Sequence, residues 1–190
     1  MDDLTLVERA RSGDKSAFTE LVVRYQDQLY TMALRVLGKP VDAADVVQET
    51  FLRAYAHLPE LRGETVRAWL FRVAINASRD LQRQHQRHPI DPLEDKEGNT
   101  VEVPDTSEGP EVHAERNETA LAIRDALAQL PENFRQVVVM RDINDLAYEE
   151  IAWVMHLPLG TVKSRIARGR LMLAELLGPV LRTDDVESER

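Results

Sequence analysis

Apolar residues return at three- and four-residue spacing through most of this chain, the period of amphipathic helices. Over 16–38 one face collects Phe18, Leu21, Val22, Tyr25, Leu29, Met32, Ala33 and Val36, and Gly38 and Pro40 then stop the run. No ligand set accompanies these residues, so they read as core rather than a cofactor site. A second run covers 41–58, with Val46, Val47, Phe51 and Tyr55 placed for packing. A third spans 66–87, where Leu70, Ala74, Ala77 and Leu81 form the apolar stripe. Further on, 118–130 carries Leu121, Ile123, Leu127 and Leu130 before Pro131 breaks it. Two more runs follow at 132–143 and 145–155, the latter with Leu146, Ile151 and Val154 inward. After the connector HLPLG a last helix runs to about Leu177. These runs predict an all-α fold.

Between the third and fourth runs the periodicity fails. Residues 89–118 hold ten acids and two bases, and so carry −8 of the formal net charge of −9. Four of the nine prolines also fall there, with few large apolar residues to repay ordering, which reads as a linker. It is either a solvated tether or an acidic strand laid along a basic channel of a partner. The expected layout is two small helical domains, 1–88 and 115–180, joined by an acidic flexible linker at 89–114 and followed by a disordered tail at 181–190. There is no cysteine, which excludes disulfides and thiolate metal sites. The opening MDDLTLVERARSGD has no continuous apolar run, so neither a signal peptide nor an anchor is expected. No stretch approaches the roughly 20 apolar residues that span a bilayer. A cytoplasmic location is expected.

With the net negative charge concentrated in the linker, other stretches of the chain can be locally basic. Residues 160–170 read GTVKSRIARGR, with four cations and no acid. A short helix, a tight connector and this longer helix make a helix-turn-helix pattern. At about 100° per residue, Val162, Ile166, Gly169, Leu173, Leu176 and Leu177 share the packing stripe. Ser164 and Ala167 lie opposite, flanked by Lys163 and Arg170 on one edge and by Arg165 and Arg168 on the other. Small residues in the centre and cations at both edges suit entry into a DNA major groove. The plainer alternative is a solvated basic face on a bundle helix.

The 66–87 run has a second, polar stripe: Arg72, Asn76, Arg79 and Arg83, with Trp69 at its edge. A tryptophan, an amide and arginines on one face suit single-stranded or melted nucleic acid. The alternative is a solvated arginine face with Trp69 tucked into the core. His85 and His88 lie close together without further ligands, so no metal or other cofactor is expected. No nucleophile–base pair, phosphate-cradling glycine loop or metal cluster points to an enzyme or a small-molecule substrate.

The segments SAFTELVVRYQDQLY, DAADVVQETFLRAY, LRGETVRAWLFRVAINASRD, LPENFRQVVVMRDINDLAYEEIAWVM and LPLGTVKSRIARGR, in that order, resemble the small extracytoplasmic-function group of bacterial sigma-70 factors. The resemblance implies core RNA polymerase and promoter DNA as partners, in a stress or envelope response. It places Asp45, Gln48 and Glu49 against the polymerase clamp helices. It gives reading of the −10 element to the 59–65 loop with Arg62, and to Trp69, Arg72, Asn76 and Arg79. It gives the −35 element to Lys163, Ser164, Arg165, Ala167 and Arg168. The acidic linker would follow the polymerase cleft toward the RNA exit channel. An anti-sigma factor, often membrane-tethered in such systems, would clamp two domains that otherwise have no fixed orientation. Three departures stand out: Leu61 and Val66 replace expected aromatics, the loop between Gly63 and Trp69 is one residue short, and Ala147 replaces a capping serine. A self-sufficient helix-turn-helix regulator, binding a duplex operator alone, is the rival reading.

Deletion of residues 90–112 is expected to strengthen non-specific duplex binding by the isolated protein, since the linker charge competes with DNA for the basic helices. A salt titration of binding checks this, and unchanged affinity contradicts it.

Overall fold

The computed structural model describes residues 1–58, 66–87 and 110–187, with side chains throughout except at 110–118 and 179–187. Every regular element among them is helical. The order is α1 (Asp3–Arg11), α2 (Lys15–Leu37), α3 (Pro40–His57), α4 (Val66–Arg87), α5 (Pro110–Gln129), α6 (Glu132–Val138), a π-helical turn (Val139–Ile143), α7 (Tyr148–Met155) and α8 (Leu159–Glu187).

Helix α1 is not announced by apolar spacing, because only Leu6 and Val7 are buried in it. Polar contacts fix it instead. The Asp2 carboxylate accepts from the Thr5 N–H at 2.8 Å as its N-cap. Arg24 of α2 donates to Asp3 Oδ1 at 2.6 Å, and the Tyr25 hydroxyl donates to the other oxygen of Asp3. Burial, then this carboxylate, push the Tyr25 phenol above its ordinary range. Asp14 caps α2, accepting from the N–H groups of Ser16 at 3.0 Å and Ala17 at 3.3 Å, and from Arg9 Nη2 at 2.6 Å. Gly38 closes α2 at φ 78°, a left-handed geometry that glycine adopts without strain.

The expected core of α2 holds: Leu21, Tyr25, Leu29, Met32, Ala33 and Val36 are buried, with Phe18 and Val22 partly so. In α3, Val46 is buried and Val47 and Phe51 are half-buried, but Tyr55 is 53% exposed. Tyr55 only meets Phe18 edge-on, centroids 5.1 Å apart, because it sits off the buried stripe. Leu121 and Ile123 of α5 stay at the surface, while Leu127 and Leu130 are buried.

Helix α4 buries more than its predicted stripe. Val66, Leu70, Ala74 and Ala77 are covered, and so are Phe71, Ile75, Ser78 and Ala68. At 100° per residue these positions span an arc of roughly 200°, too wide for one neighbour to cover. Helices α2 and α3 pack on one side and α7 on another, while α2 also meets α5 and the π turn. The core is therefore continuous through both halves of the chain. This corrects the expectation of two units without a fixed orientation: the second apolar edge of α4 gives the C-terminal half somewhere to pack.

Two boundaries shift. Helix α5 starts at Pro110, inside the stretch expected as linker to 114; the fixed φ of proline suits a first helical turn. Helix α8 continues through Gly178 and Pro179 to Glu187, into the stretch expected as a disordered tail. The rest of the expected linker, 89–109, lies outside the described residues.

Ala147 is the N-cap of α7 and offers no side-chain acceptor. Neither of the polar side chains just before it takes over: the Asn144 amide donates to the Gln28 carbonyl at 3.0 Å, and Asp145 pairs with Arg141 at 2.9 Å. Instead Glu150 reaches back and accepts from the Ala147 N–H at 2.8 Å, keeping half of a capping box.

Two stability tests follow from these contacts. A Cβ at Gly169 of α8 lies 2.6 Å from Val138 Cγ2 of α6. Gly169→Ala is expected to destabilise by about 1–3 kcal/mol through overpacking, outweighing the roughly 1 kcal/mol of helix propensity gained. Added to Val138→Ala, the same change is expected to be neutral or stabilising. Equal cost in both backgrounds, by denaturant melts, contradicts the close approach. The hydrogen bonds from Ser16 and then Arg9 lower the Asp14 carboxyl from 3.8 to about 2. A depressed acid stabilises above its unfolded pKa and loses this contribution as pH falls through the folded one. Asp14→Ala is therefore expected to lower Tm at pH 7, with the gap to wild type narrowing from about pH 4 down to 2. A gap independent of pH contradicts the assignment.

Candidate nucleic-acid interface

The turn between α7 and α8 positions the basic helix. His156 ends α7 at φ 53°, where its N–H reaches back to the Ala152 and Trp153 carbonyls. The Pro158 carbonyl then accepts from Thr161 at 2.9 Å and Val162 at 3.1 Å, starting α8. Val162, Ile166 and Gly169 face inward and are buried, as their spacing requires. Lys163, Ser164, Ala167 and Arg168 are exposed, and Arg165 is half-exposed. The Ser164 hydroxyl donates to the Thr161 carbonyl at 3.0 Å, which orients it along the helix.

Arg170 behaves differently from the other cations of the stretch. It makes a two-pronged contact with Asp142 of the π turn, with Nε 3.0 Å from Oδ2 and Nη2 on Oδ1. That contact raises its guanidinium pKa. Arg170 thus ties α8 to its own domain, and the outward cations are Lys163, Arg165 and Arg168.

On α4 the expected polar stripe is divided. Asn76 and Arg83 are exposed and Trp69 is half-buried. Arg72 stacks over the Trp153 ring of α7, 4.6 Å from its centroid. Arg79 donates through Nη2 to Gln136 Oε1 at 2.8 Å and lies 3.3 Å from Met155 Sδ. Burial pulls the Arg79 guanidinium down, opposed by Glu132 and reinforced by Arg83 and Arg165. Arg62 and the 59–65 loop lie outside the described residues. Val66, where an aromatic is expected, is buried in the core.

On α3, Asp45 and Gln48 are exposed, and Glu49 accepts from Arg53 at 2.6 Å. Val41 at 72% and Leu52 at 60% exposure share that face, and so does Tyr55. Sequence reasoning passed over this apolar component; its signal is that 41, 52 and 55 fall off the packing stripe. It also passed over Trp153 and Gln136, which nothing in α7 or α6 alone marks as partners of arginines 57 to 81 positions earlier in the chain. His85 Nδ1 sits 3.6 Å from Asp42 Oδ2. Among the described residues no group of three His, Cys, Asp or Glu side chains could hold a metal, and no helix is long and apolar enough to cross a membrane.

This is a helix-turn-helix protein with a second arginine-bearing helix, α4, packed against α7. Residues 21–88 match sigma-70 region 2 and residues 120–173 match sigma-70 region 4. The RNA polymerase sigma-H factor of Pseudomonas aeruginosa is 37% identical over 95% of this chain and 96% of its own. The ECF RNA polymerase sigma-E factor of Haemophilus influenzae is 36% identical, over 95% and 98%. Among solved structures, CnrH in complex with the cytosolic domain of CnrY matches with a TM-score of 0.71 at 30% identity, covering 93% of this chain and 97% of that one. The chain belongs to the sigma-70 family, in its extracytoplasmic-function group.

The two arginines at 168 and 170 are expected to part company. Arg168→Ala should reduce the slope of log K against log salt for promoter binding by about one. Arg170→Ala should leave that slope unchanged and lower stability by less than about 1 kcal/mol, as for an exposed pair. Equal slopes for both variants contradict the assignment.

Proposed function

We propose that the protein docks on core RNA polymerase through the α3 face of Asp45, Gln48 and Glu49, widened by Val41 and Leu52, and directs initiation from promoters with two separated elements. The observation that carries this is the outward face of α8. Lys163, Ser164, Ala167 and Arg168 are exposed, with small residues between cations, on the second helix of a helix-turn-helix. Such a face enters the major groove and contacts both walls. Arg165 completes the set that reads the −35 element. Trp69, Arg72, Asn76 and Arg79 of α4, with Arg62, read the −10 element; Asn76 is the polar residue of that stripe left open to solvent. The working units are 1–88 and 115–180, with the acidic segment as tether. The protein acts in the cytoplasm as a binding factor without chemistry of its own.

A regulatory partner fits the same reading. CnrH is described with the cytosolic domain of CnrY, and a comparable, membrane-tethered anti-sigma factor is proposed for this chain. It would bind the closed arrangement and oppose its opening by its differential affinity for that state.

Run-off transcription with purified core enzyme tests the proposal. Promoter-specific product is expected only when the protein is added. Arg168→Ala is expected to weaken −35 recognition and Asn76→Ala to change discrimination within the −10 element, each by roughly 1–3 kcal/mol. Uniform weakening on all sequences contradicts the base-reading roles. Tight sequence-specific binding without polymerase points instead to a stand-alone regulator.

A further inference from the structure

Two cations assigned to promoter DNA are already engaged inside the molecule, by groups with the chemistry of a nucleobase. The Trp153 indole offers Arg72 a flat π face at 4.6 Å, the kind of surface on which arginine stacks against unpaired bases. Seven residues on, Gln136 Oε1 offers Arg79 a carbonyl acceptor at 2.8 Å, as a base edge does. Gln136 is held in place by donating through Nε2 to Glu132 Oε1 at 2.6 Å. Both acceptors belong to the C-terminal half, and both arginines to α4.

We propose that Trp153 and Gln136 are an internal stand-in for unpaired DNA, so that the closed chain and a melted strand compete for Arg72 and Arg79. The proposal rests on the reading of α4 as the −10-facing helix.

The rest of the contact is built to open. Arg67 donates to the Asn144 carbonyl and, at 3.4 Å, to the Asp145 carbonyl. Yet Arg67 Nε, Asn144 Oδ1 and Gln28 Oε1 are buried without a hydrogen-bond partner among the described residues. A buried polar atom left unpaired costs free energy that water restores on opening. Arg83 and Arg165 add like charge around Arg79. Against this, opening uncovers apolar surface of α4, which favours closure in the free chain and leaves polymerase or DNA to cover it in the open one. A ligand that needs the open form binds more weakly by the fraction of molecules open, so weakening the stand-in should strengthen binding.

The test uses the full-length chain and a short fluorescein-labelled oligothymidine, read by anisotropy, with small-angle scattering in parallel. Trp153→Ala is expected to tighten oligothymidine binding roughly three- to thirtyfold, the range a cation–π contact supplies. The radius of gyration should rise by several ångström above the ~16 Å of a compact chain of this length. Gln136→Leu keeps the volume, removes the acceptor and should act in the same direction. It carries the test if Trp153→Ala fails to melt cooperatively. Adding Arg72→Ala to Trp153→Ala should abolish the gain. The proposal is overturned by opening without tighter binding, by tighter binding that survives loss of Arg72, or by no opening in either variant. Run-off transcription separates the two claims: a wild-type chain that fires a promoter while the variants show none of these changes leaves the sigma reading intact and removes the competition.

Discussion

The structure depends on the double coverage of α4. Its buried positions occupy an arc of roughly 200°, and Phe71, Ala74 and Ile75 have no exposed surface at all. In the free chain so much apolar surface favours cover on both sides: α2 and α3 pack on one flank and α7 on the other, which draws in the C-terminal half of the chain. The arginines that border this arc then meet α6 and α7 wherever the helix turns them inward. Arg72 and Arg79 fall at that border; Asn76 and Arg83 fall beyond it and stay exposed.

The second basic helix follows a different logic. α8 is anchored by Val162, Ile166 and the close approach of Gly169 to Val138, and by the Arg170–Asp142 pair. These fix its register and roll, and therefore which cations point outward. The cations of the two helices are thus in unlike states: on α8 Lys163, Arg165 and Arg168 point outward, while on α4 Arg72 and Arg79 are occupied by the protein itself. The net negative charge is concentrated in residues 89–118, and residues 160–170 hold four cations and no acid.

Much of this was legible in the sequence. The helices from α2 to α8, the inward faces of α2, α7 and α8, and the helix-turn-helix follow from periodicity and breakers, since each is a local property. The family follows from five motifs in order. The misses have a common cause. Helix α1 is held by Asp2, Asp3 and their partners across to α2, and such contacts leave no periodic trace. Phe71 and Ile75 lie within one turn of the predicted stripe, and only the presence of α7 shows that they are a second packing edge. Trp153 looks like one more half-buried aromatic until Arg72 is placed above it. Tyr55 is aromatic at near-helical spacing, which suggests core, yet it is a surface residue touching Phe18 at its edge.

A chain closed around α4 has to open if Arg72 and Arg79 are to meet a melted strand. The protein has no cysteine, so one introduced at exposed Gln26 of α2 and one at exposed Glu175 of α8 can carry spin labels selectively. Pulsed dipolar spectroscopy then measures the distance in the free protein and in a transcriptionally active complex of core polymerase and promoter. One narrow distance is expected in the free chain and a clearly longer one in the active complex. The same distance in both, or a broad distribution in the free chain, contradicts this.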